Sequence, residues 1–282
     1  MLKIQIEKAL HGIGSEMRLQ ADIEIEEHSF VAIAGESGSG KTTLLRILAG
    51  LEKAEGRVEI GDEVWMDGTY ALPVQQRKIG FVFQDYALFE NMTVEENLLF
   101  VEKDKALAVE LLQMTGLMPL KDRMPGRLSG GQKQRVALCR AMMKRPTLLL
   151  MDEPLSALDP AMRQKLQQEI AVLHRAFGTT TIMVSHDPSE IYRLADRVIM
   201  LERGQIIADG KPKEVLLKTQ GSQKFSFEGE LLDITKVDVI YVAIVSIGQQ
   251  LVEVVVSSEE AAHLTIGQRV TVSTKAFAPM IV

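Results

Sequence analysis

The sequence has little cysteine and no long apolar run. Its single cysteine, Cys139, cannot form an internal disulfide and therefore suits a reducing compartment. The longest apolar stretch, residues 239–245, is far shorter than the ~20 residues that a membrane-spanning helix needs. Residues 1–7 alternate between apolar and polar side chains like a strand and lack the apolar core of a secretory signal. If the protein acts at a membrane, we therefore expect it to act from the cytoplasm and through a partner.

Basic residues are not in excess either. The formal net charge is −6, whereas a protein that binds nucleic acid duplexes normally has a basic footprint. Hydrophobic residues make up 46% and charged residues 25% of the chain, which are ordinary globular values and exclude disordered and fibrous classes. The 282 residues are enough for one good-sized domain with a smaller one, or for a single large α/β domain.

Short apolar runs alternate with helical patterns up to about residue 216, which predicts a parallel sheet flanked by helices. The runs with the texture of buried strands are residues 30–34, 79–83, 148–151 and 180–184. Apolar residues at helical spacing predict one helix over 162–177. A second helix should begin near Ser129 and end at residues 144–146, where basic residues and a proline stop it.

The last part of the chain differs in texture. Residues 217–226 form a polar link, and residues 227–282 have the pattern of a small all-β domain. Within it, apolar runs at 237–247 and 251–256 flank the turn-prone pair at 248–249. We therefore expect a second, smaller unit after the α/β part.

Residues 35–42 have the pattern GxxxxGK[ST], which forms a phosphate-binding loop when it joins a strand to a helix. Glycines let the backbone curl so that its N–H groups point inward at phosphate oxygens. Lys41 supplies positive charge to the β- and γ-phosphates, and the Thr42 hydroxyl can bind Mg²⁺. An apolar strand precedes the loop and an amphipathic helix follows it, so we expect a nucleotide site rather than a chance match in a turn.

Two carboxylates, Asp152 and Glu153, follow the strand predicted at 148–151. A strand that emerges beside a phosphate-binding loop delivers its terminal carboxylate, here Asp152, to the Mg²⁺ shell. Glu153 can then accept a proton from the attacking water. The alternative is an acidic pair that caps a helix.

Residues 128–132, Leu-Ser-Gly-Gly-Gln, place a serine and two glycines at a predicted helix start. Backbone N–H groups and one hydroxyl there make an anion site. A chain with one phosphate-binding loop has no internal need for a second phosphate site. A head-to-tail dimer, in which residues 128–132 cap the γ-phosphate held by the other subunit, explains the pattern. An ordinary helix N-cap at Ser129 is the alternative.

These motifs, together with the segments around Gln84, Asp159 and His186, occur in one family's order and spacing. Over residues 1–216 the chain resembles the ATP-binding subunits of ABC transporters, of the importer type. The resemblance implies an α/β P-loop NTPase fold, with a RecA-like core, an antiparallel β part and a helical subdomain at about 85–146. A small all-β, OB-like domain follows. ATP and Mg²⁺ are the implied cofactors, and ATP hydrolysis is the implied reaction.

The same resemblance implies roles for individual residues. Gln84 helps to bind Mg²⁺ and the lytic water, His186 contacts the γ-phosphate, and Asp159 works across the dimer interface. The implied catalytic residues are Glu153, His186, Gln84 and Lys41, and the implied metal ligands are Thr42, Gln84 and Asp152. The implied nucleotide-binding residues are Gly35, Glu36, Ser37, Gly38, Ser39, Gly40, Lys41, Thr42, Thr43, Ser129, Gly130, Gly131, Gln132 and Asp159.

The resemblance also implies partners. It places a homodimer of ATPase subunits peripherally on the cytoplasmic face of the cell membrane, bound to transmembrane permease subunits and served indirectly by a solute-binding protein. Nucleic acid is not an expected partner. Residues 85–89 resemble the groove that receives a coupling helix, with a hydrophobic staple as the alternative. For the whole chain, a soluble ATPase of the same family that is not coupled to transport is the alternative.

One departure from the family pattern concerns the nucleotide base. The family usually stacks adenine on an aromatic residue near the first strand, yet no Phe, Tyr or Trp precedes Phe30. We expect His11 or an aliphatic side chain to take this place. Without aromatic stacking the preference for ATP over GTP should weaken.

The tail indicates a cargo. Residues 227–282 resemble half of a molybdate-binding-type regulatory domain, in which Ser273 and Lys275 are candidate oxyanion ligands; a structural dimerisation tail is the alternative. The N-terminal region and residues 190–196 also resemble molybdate importer subunits, so molybdate or tungstate is the predicted cargo. Importers of sulfate, polyamines, iron and sugars have similar motor subunits.

Overall fold

The computed structural model describes residues 1–12, 15–156, 158–216, 223–237, 240–247 and 250–275, without the side chains of 11–12, 15–16, 223–226, 240, 250 and 273–275. The chain divides into two compact units, Met1–Leu217 and Lys218–Val282. Among the helices described, none has both the length and the apolar character that crossing a bilayer requires.

Strands and helices alternate in the first unit, and strands dominate the second. The strands of the first unit are β1 (Leu2–Gly12), β2 (Ser15–Ile25), β3 (Phe30–Ala34), β4 (Glu55–Ile60), β5 (Glu63–Asp67), β6 (Tyr70–Ala71), β7 (Ile79–Val82), β8 (Leu148–Asp152), β9 (Thr180–Val184), β10 (Arg197–Glu202) and β11 (Gln205–Gly210). Its α-helices are α1 (Lys41–Ala49), α2 (Val94–Leu99), α3 (Lys105–Met114), α4 (Gly130–Met142), α5 (Pro160–Phe177), α6 (Pro188–Leu194) and α7 (Pro212–Leu216). The second unit contains β12 (Gln223–Val237), β13 (Ile240–Ile247), β14 (Gln250–Val256), α8 (Ser258–His263) and β15 (Arg269–Lys275).

A six-stranded sheet in the order β11-β10-β3-β9-β8-β7 lies at the centre of the first unit. All neighbours pair in parallel except β11, the antiparallel edge strand. β3, β8 and β9 are buried along their whole length, as continuous apolar runs predict. The strands predicted at 30–34 and 180–184 are confirmed with those bounds, and those at 79–83 and 148–151 differ by one residue. Because parallel strands end at the same edge, the segments after β3, β8 and β9 meet there.

An antiparallel sheet, β2-β1-β4-β5-β6, lies on the other side of α1. Alternate residues of β1 (Leu2, Ile4 and Ile6) are buried in the same core cluster as the apolar side chains of α1 and of the central strands. The helix presents its leucine and isoleucine side chains to this core. α1 is therefore held firmly, and so is the end of the loop that leads into it.

The segment predicted as a helical subdomain, about 85–146, contains α2, α3 and α4. α2 begins with a capping box, in which Thr93 and Glu96 satisfy each other's backbone N–H groups. α4 begins directly after Ser129, as predicted, and ends at Met142. On α5 the predicted stripe is buried at its centre, where Leu166, Ile170 and Leu173 face the core.

The second unit has a four-stranded antiparallel sheet, β14-β13-β12-β15. The prediction of an all-β tail is wrong at α8, because Ser257 and Glu260 form a capping box that starts a helix. The link predicted at 217–226 overlaps β12, which begins at Gln223. Residues 217–222 of that link lie outside the described residues, and so does the turn predicted at 248–249.

Candidate nucleotide-binding site

The loop between β3 and α1 follows a path that requires glycine at two positions. A Cβ added at Gly35 would lie 2.0 Å from the carbonyl oxygen of Leu201, because β3 runs directly beside β10. Gly40, the N-cap of α1, has a φ of 104°, a left-handed conformation that glycine adopts readily. Backbone packing at Gly35 and the left-handed conformation of Gly40 therefore set the path of the loop at its two ends.

Lys41 is buried within this loop. Its Nζ donates to the carbonyl oxygens of Gly35 at 2.8 Å and Glu36 at 2.6 Å. Burial lowers the pKa of Lys41, and the negative charges of Glu153 and Asp152 oppose that change. The ammonium is thus held where the loop curls, beside the acidic groups that end β8.

Thr42 and Asp152 form the candidate metal ligands. The Thr42 hydroxyl donates to Asp152 Oδ1 at 3.0 Å, which joins the start of α1 to the end of β8. Burial raises the pKa of Asp152, and the hydrogen bond from Thr42 opposes this rise. A hydroxyl and one carboxylate are the oxygen ligands with which Mg²⁺ is usually held beside substrate phosphates, so these residues fit that ion.

Glu153 and His186 form the second polar pair. Glu153 has a φ of 45°, an uncommon conformation for a residue with a side chain, and its N–H donates to Val184 O at 3.1 Å. His186 Nδ1 lies 3.4 Å from Glu153 Oε1, and the two side chains are 65% and 25% exposed. A carboxylate that can accept a proton is therefore beside an imidazole, at the edge where β8 and β9 end.

The phosphate-binding loop and Glu153 line one cleft of about 810 Å³, and His186 lines a neighbouring cleft of about 350 Å³ that also includes Glu153. The predicted site residues that line the larger cleft are Ser37, Gly38, Gly40, Lys41, Thr42, Thr43, Gln84 and Glu153. The lining residues that the sequence motifs did not predict are Lys8, Ala9, Leu10, Met17 and Glu52. The loop, Thr42, Gln84 and the candidate base thus lie around the same space, and Asp152 adjoins it through its hydrogen bond with Thr42.

Aliphatic side chains from β1 and β2 line the cleft, whereas the family pattern usually places an aromatic ring near the first strand. Leu10 and Met17 are directly opposite in the pairing of β1 with β2, and both line the cleft. A Cβ added at Gly40 would lie 3.2 Å from Leu10 Cδ1, so this side chain reaches the phosphate-binding loop. The aliphatic alternative for the base contact thus has two candidates, while the side chain of His11 lies outside the described residues.

Residues 129–132 and Asp159 are not among the described residues that line this cleft. They lie at the N-termini of two helices. Ser129 N–H donates to Gln132 Oε1 at 2.9 Å and Gln132 N–H donates to Ser129 Oγ at 3.4 Å, which is a capping box. Asp159 caps α5 by accepting from two backbone N–H groups. Each segment therefore has a structural role in its own chain.

The predicted oxyanion ligands of the tail are not tested by the geometry. Ser273 and Lys275 lie on β15, but their side chains are outside the described part of the chain.

A phosphate-binding loop and paired carboxylates at the carboxyl edge of a parallel sheet define the class of P-loop nucleoside triphosphatases. The sequence profile of the ABC transporter family matches residues 19–156. A sulfate/thiosulfate import ATP-binding protein of Agrobacterium fabrum is 43% identical over 241 residues, which cover 81% of this chain and 70% of that protein. A sulfoquinovosyl glycerol transport ATP-binding protein of the same species is 46% identical over 203 residues, 69% of this chain and 56% of that one.

Among solved structures, the dimeric post-hydrolysis state of the ATP-binding cassette MJ0796 bound to ADP and Pi is similar, with a TM-score of 0.65 and 32% identity. The similarity covers 75% of this chain and 99% of that one. The chain belongs to the ATP-binding subunits of ABC transporters, as the resemblance predicted; this family consists of ATPases that bind ATP with Mg²⁺. The relatives are named for sulfate, thiosulfate and sulfoquinovosyl glycerol, so the predicted molybdate or tungstate cargo receives no support from them.

Proposed function

We propose that the chain is the ATPase subunit of an importer, which couples ATP hydrolysis at a dimer interface to solute uptake through separate membrane subunits. It acts peripherally on the cytoplasmic face of the membrane. The observation that carries the proposal is the convergence of the phosphate-binding loop, Thr42, Asp152 and Glu153 on one edge of the sheet, in a chain whose relatives are import ATP-binding proteins. The proposed cargo is sulfate or thiosulfate, by similarity to those relatives.

The binding step uses the loop and its lysine. Backbone N–H groups at the start of α1 and the Lys41 ammonium neutralise the β- and γ-phosphates of the substrate. Thr42, Asp152 and Gln84 would hold Mg²⁺, which supplies further neutralisation of phosphate charge when bound. Leu10 and Met17 contact the base.

The hydrolysis step uses the pair at the ends of β8 and β9. Glu153 accepts a proton from the attacking water, and its left-handed backbone conformation marks the point where the chain leaves β8. His186 donates to a γ-phosphate oxygen, which stabilises charge that develops during transfer. The 3.4 Å separation of His186 Nδ1 from Glu153 Oε1 keeps base and donor on one reacting centre.

The second copy completes each site. In this proposal residues 129–132 and Asp159, which are not among the described residues that line the cleft of their own chain, serve the cleft of a partner. The capping box is compatible with this role, because the Ser129 hydroxyl accepts from Gln132 N–H and keeps its own hydrogen free for a phosphate oxygen. The similar MJ0796 cassette is itself dimeric.

Coupling to the membrane subunit is proposed at the aromatic surface that follows Gln84. Phe89 and Phe100 are exposed and their ring centroids are 4.5 Å apart. Arg140 lies over the Phe89 ring and donates to the carbonyl oxygens of residues 86–87, which fixes this surface relative to α4. Movement of residues 129–132 at the start of α4 would then move the docking surface.

Uptake by reconstituted vesicles tests the proposal. The chain is purified with its co-purifying membrane subunits, and ATP-dependent uptake of labelled sulfate is measured with excess thiosulfate, molybdate or sulfoquinovosyl glycerol as competitor. We expect sulfate uptake that thiosulfate suppresses and molybdate does not. ATP hydrolysis by the chain with no co-purifying membrane subunit would move the assignment to a soluble ATPase of the same family.

The substitution Glu153→Gln isolates the chemical step. We expect hydrolysis to fall by about 10²-fold or more, because the base is lost, while ATP binding persists and an ATP-bound dimer accumulates in size-exclusion chromatography. Glu110→Gln, at an exposed position of α3, is the matched control and should hydrolyse ATP like the unmodified chain. Undiminished turnover in Glu153→Gln would remove Glu153 from its role.

A further inference from the structure

The guanidinium of Arg163 contacts two loops at once. Arg163 lies in the first turns of α5, and its Nη1 donates to Asp187 Oδ2 at 2.9 Å. Its Nη2 donates to the carbonyl oxygen of Leu158 at 3.3 Å, and its Nε lies 3.4 Å from Glu190 Oε1. One planar group with several fixed donors can hold such partners in a single relative arrangement, which a flexible ammonium cannot do.

The two loops are those that the proposed function puts beside the nucleotide. Leu158 directly precedes Asp159, the N-cap of α5 and the residue proposed to act across the dimer interface. Asp187 directly follows His186 and is the N-cap of α6. Arg163 therefore connects the segment that faces the partner with the segment that carries the histidine.

His186 depends on its neighbours for its position. Its side chain is 65% exposed, and the polar contact described for it is the 3.4 Å approach to Glu153. The two residues next to it in the sequence, Ser185 and Asp187, are held by hydrogen bonds. The buried Ser185 donates through Oγ to Glu190 Oε2 at 2.7 Å, and Asp187 accepts from the N–H of Ser189 at 2.8 Å. The backbone at these two positions thus sets where the imidazole points.

The negative charges of Asp187 and Glu190 add to their attraction for the Arg163 guanidinium. The side chain of Glu190 is 5% exposed and that of Asp187 is 24% exposed, so both carboxylates are partly or wholly removed from water. Arg163 is itself 30% exposed, but its loss would leave the buried Glu190 carboxylate without this cation, which is unfavourable and favours a local shift of the backbone. Such a shift at Asp187 would carry His186 with it.

We propose that Arg163 is a positioning residue for hydrolysis, which holds His186 against Glu153 by tying the backbone at Leu158 to the side chain of Asp187. The inference rests on the proposed function, because it takes His186 as the group that meets the γ-phosphate. Arg163 and His186 line the neighbouring cleft with Glu153, and Arg163 does not line the cleft that contains the phosphate-binding loop, so its effect should be on turnover and not on nucleotide affinity.

A double-mutant cycle tests the inference. Arg163→Met and Arg163→Lys are made in the unmodified chain and in His186→Ala, and single-turnover hydrolysis, KM for ATP and thermal unfolding are measured. We expect Arg163→Met to lower turnover by about 10²-fold, the effect of a misplacement near 1 Å, with KM within about twofold. In the His186→Ala background we expect Arg163→Met to cause no further loss, because two residues that act as a unit are not additive.

The control is Arg175→Met. Arg175 lies on the same helix, is exposed, and donates to the Ala171 carbonyl of its own helix, so its replacement should leave turnover unchanged. Full turnover in Arg163→Met, or an equal loss in both backgrounds, overturns the inference. Arg163→Lys, which retains the charge but not the fork of donors, provides the same cycle if Arg163→Met does not fold. Absence of hydrolysis in the unmodified chain would instead contradict the proposed function.

Discussion

Asp152 meets two opposing requirements at the scale of one residue. It is buried at the end of β8, and burial raises its pKa, so ionisation of Asp152 is less favourable in the folded chain than in the unfolded chain. The proposed role as a Mg²⁺ ligand needs the ionised form. The hydrogen bond from Thr42 lowers the pKa again in part. The folded chain thus carries a charge that is unfavourable until a cation compensates it.

The substitution Asp152→Asn should therefore stabilise the folded chain in the absence of nucleotide. A folded-state pKa above the unfolded value means that ionisation destabilises the folded form, fully so once the pH exceeds the folded pKa. We expect a higher unfolding midpoint for Asp152→Asn at neutral pH, with a difference that shrinks as the pH falls through the folded pKa. Mg²⁺-dependent hydrolysis should be lost. Differential scanning fluorimetry over a pH series measures this.

The control for this prediction is Asp62→Asn, at an exposed turn between β4 and β5. It should change the unfolding midpoint little at any pH. A midpoint for Asp152→Asn that is lower than that of the unmodified chain at neutral pH would show that the interactions with Thr42 and the nearby cations outweigh burial.

Local sequence motifs predicted some of the residues around the cleft, but not all of them. The loop residues and Glu153 are contiguous in the sequence with a strand or helix, and the order of residues 35–42 alone indicates a phosphate site. Leu10, Met17 and Arg163 were not predicted individually, because their positions depend on the register of β1 with β2 and on contacts between α5 and the loop before α6. No periodicity in a single segment contains that information.

At the scale of elements, the N-terminus of α4 has two roles that a single substitution can separate. Ser129 and Gln132 form the capping box that satisfies backbone N–H groups of the helix. The proposed dimer also directs the same N-terminus at a γ-phosphate. A role in capping alone was the alternative reading of residues 128–132, and both roles depend on an oxygen at position 129.

Ser129→Asp should retain the cap and remove the phosphate site. Asp is as good an N-cap as Ser and its charge suits a helix N-terminus, so α4 should keep its stability, whereas Ser129→Ala should lose about 1 kcal/mol. The carboxylate would repel the γ-phosphate, so we expect loss of ATP-dependent dimerisation and hydrolysis. Unfolding midpoint and ATPase rate are the measurements.

Ser257→Asp is the matched control, because Ser257 and Glu260 form the same capping box at the start of α8. It should preserve both stability and hydrolysis. Retention of full hydrolysis in Ser129→Asp would mean that the segment acts as a helix cap only.

The central strands were predicted closely because burial on both faces produces continuous apolar runs, as in β3 and β9. α8 was missed for the opposite reason. It is six residues long and has no buried residue, so no apolar periodicity indicates it. Its only signal is the Ser-x-x-Glu pattern of the capping box, which competes with the strand-like composition around it.

At the scale of the whole molecule, the proposed site draws on two chains. Lys41, Asp152 and Glu153 approach one another within the first unit, while Ser129 lies at a helix start outside their cleft. In the proposed head-to-tail dimer the cleft of each copy faces the Ser129 segment of the other, so that every site would use two chains and every chain would serve two sites.

Mixing two inactive variants tests this arrangement. In a heterodimer of Lys41→Ala with Ser129→Asp, one site contains both lesions, and the other pairs an intact phosphate-binding loop with an intact Ser129 segment. We expect each variant alone to be inactive and a 1:1 mixture to recover hydrolysis, because only the mixed dimer has an intact site; each mixed dimer should turn over at roughly half the rate of the unmodified dimer, since one of its two sites is intact. Lys41→Ala mixed with Asp152→Asn is the control and should recover nothing, because both lesions lie in the same half-site. No recovery in the first mixture, with heterodimers verified by tag capture, would place the whole site within one chain.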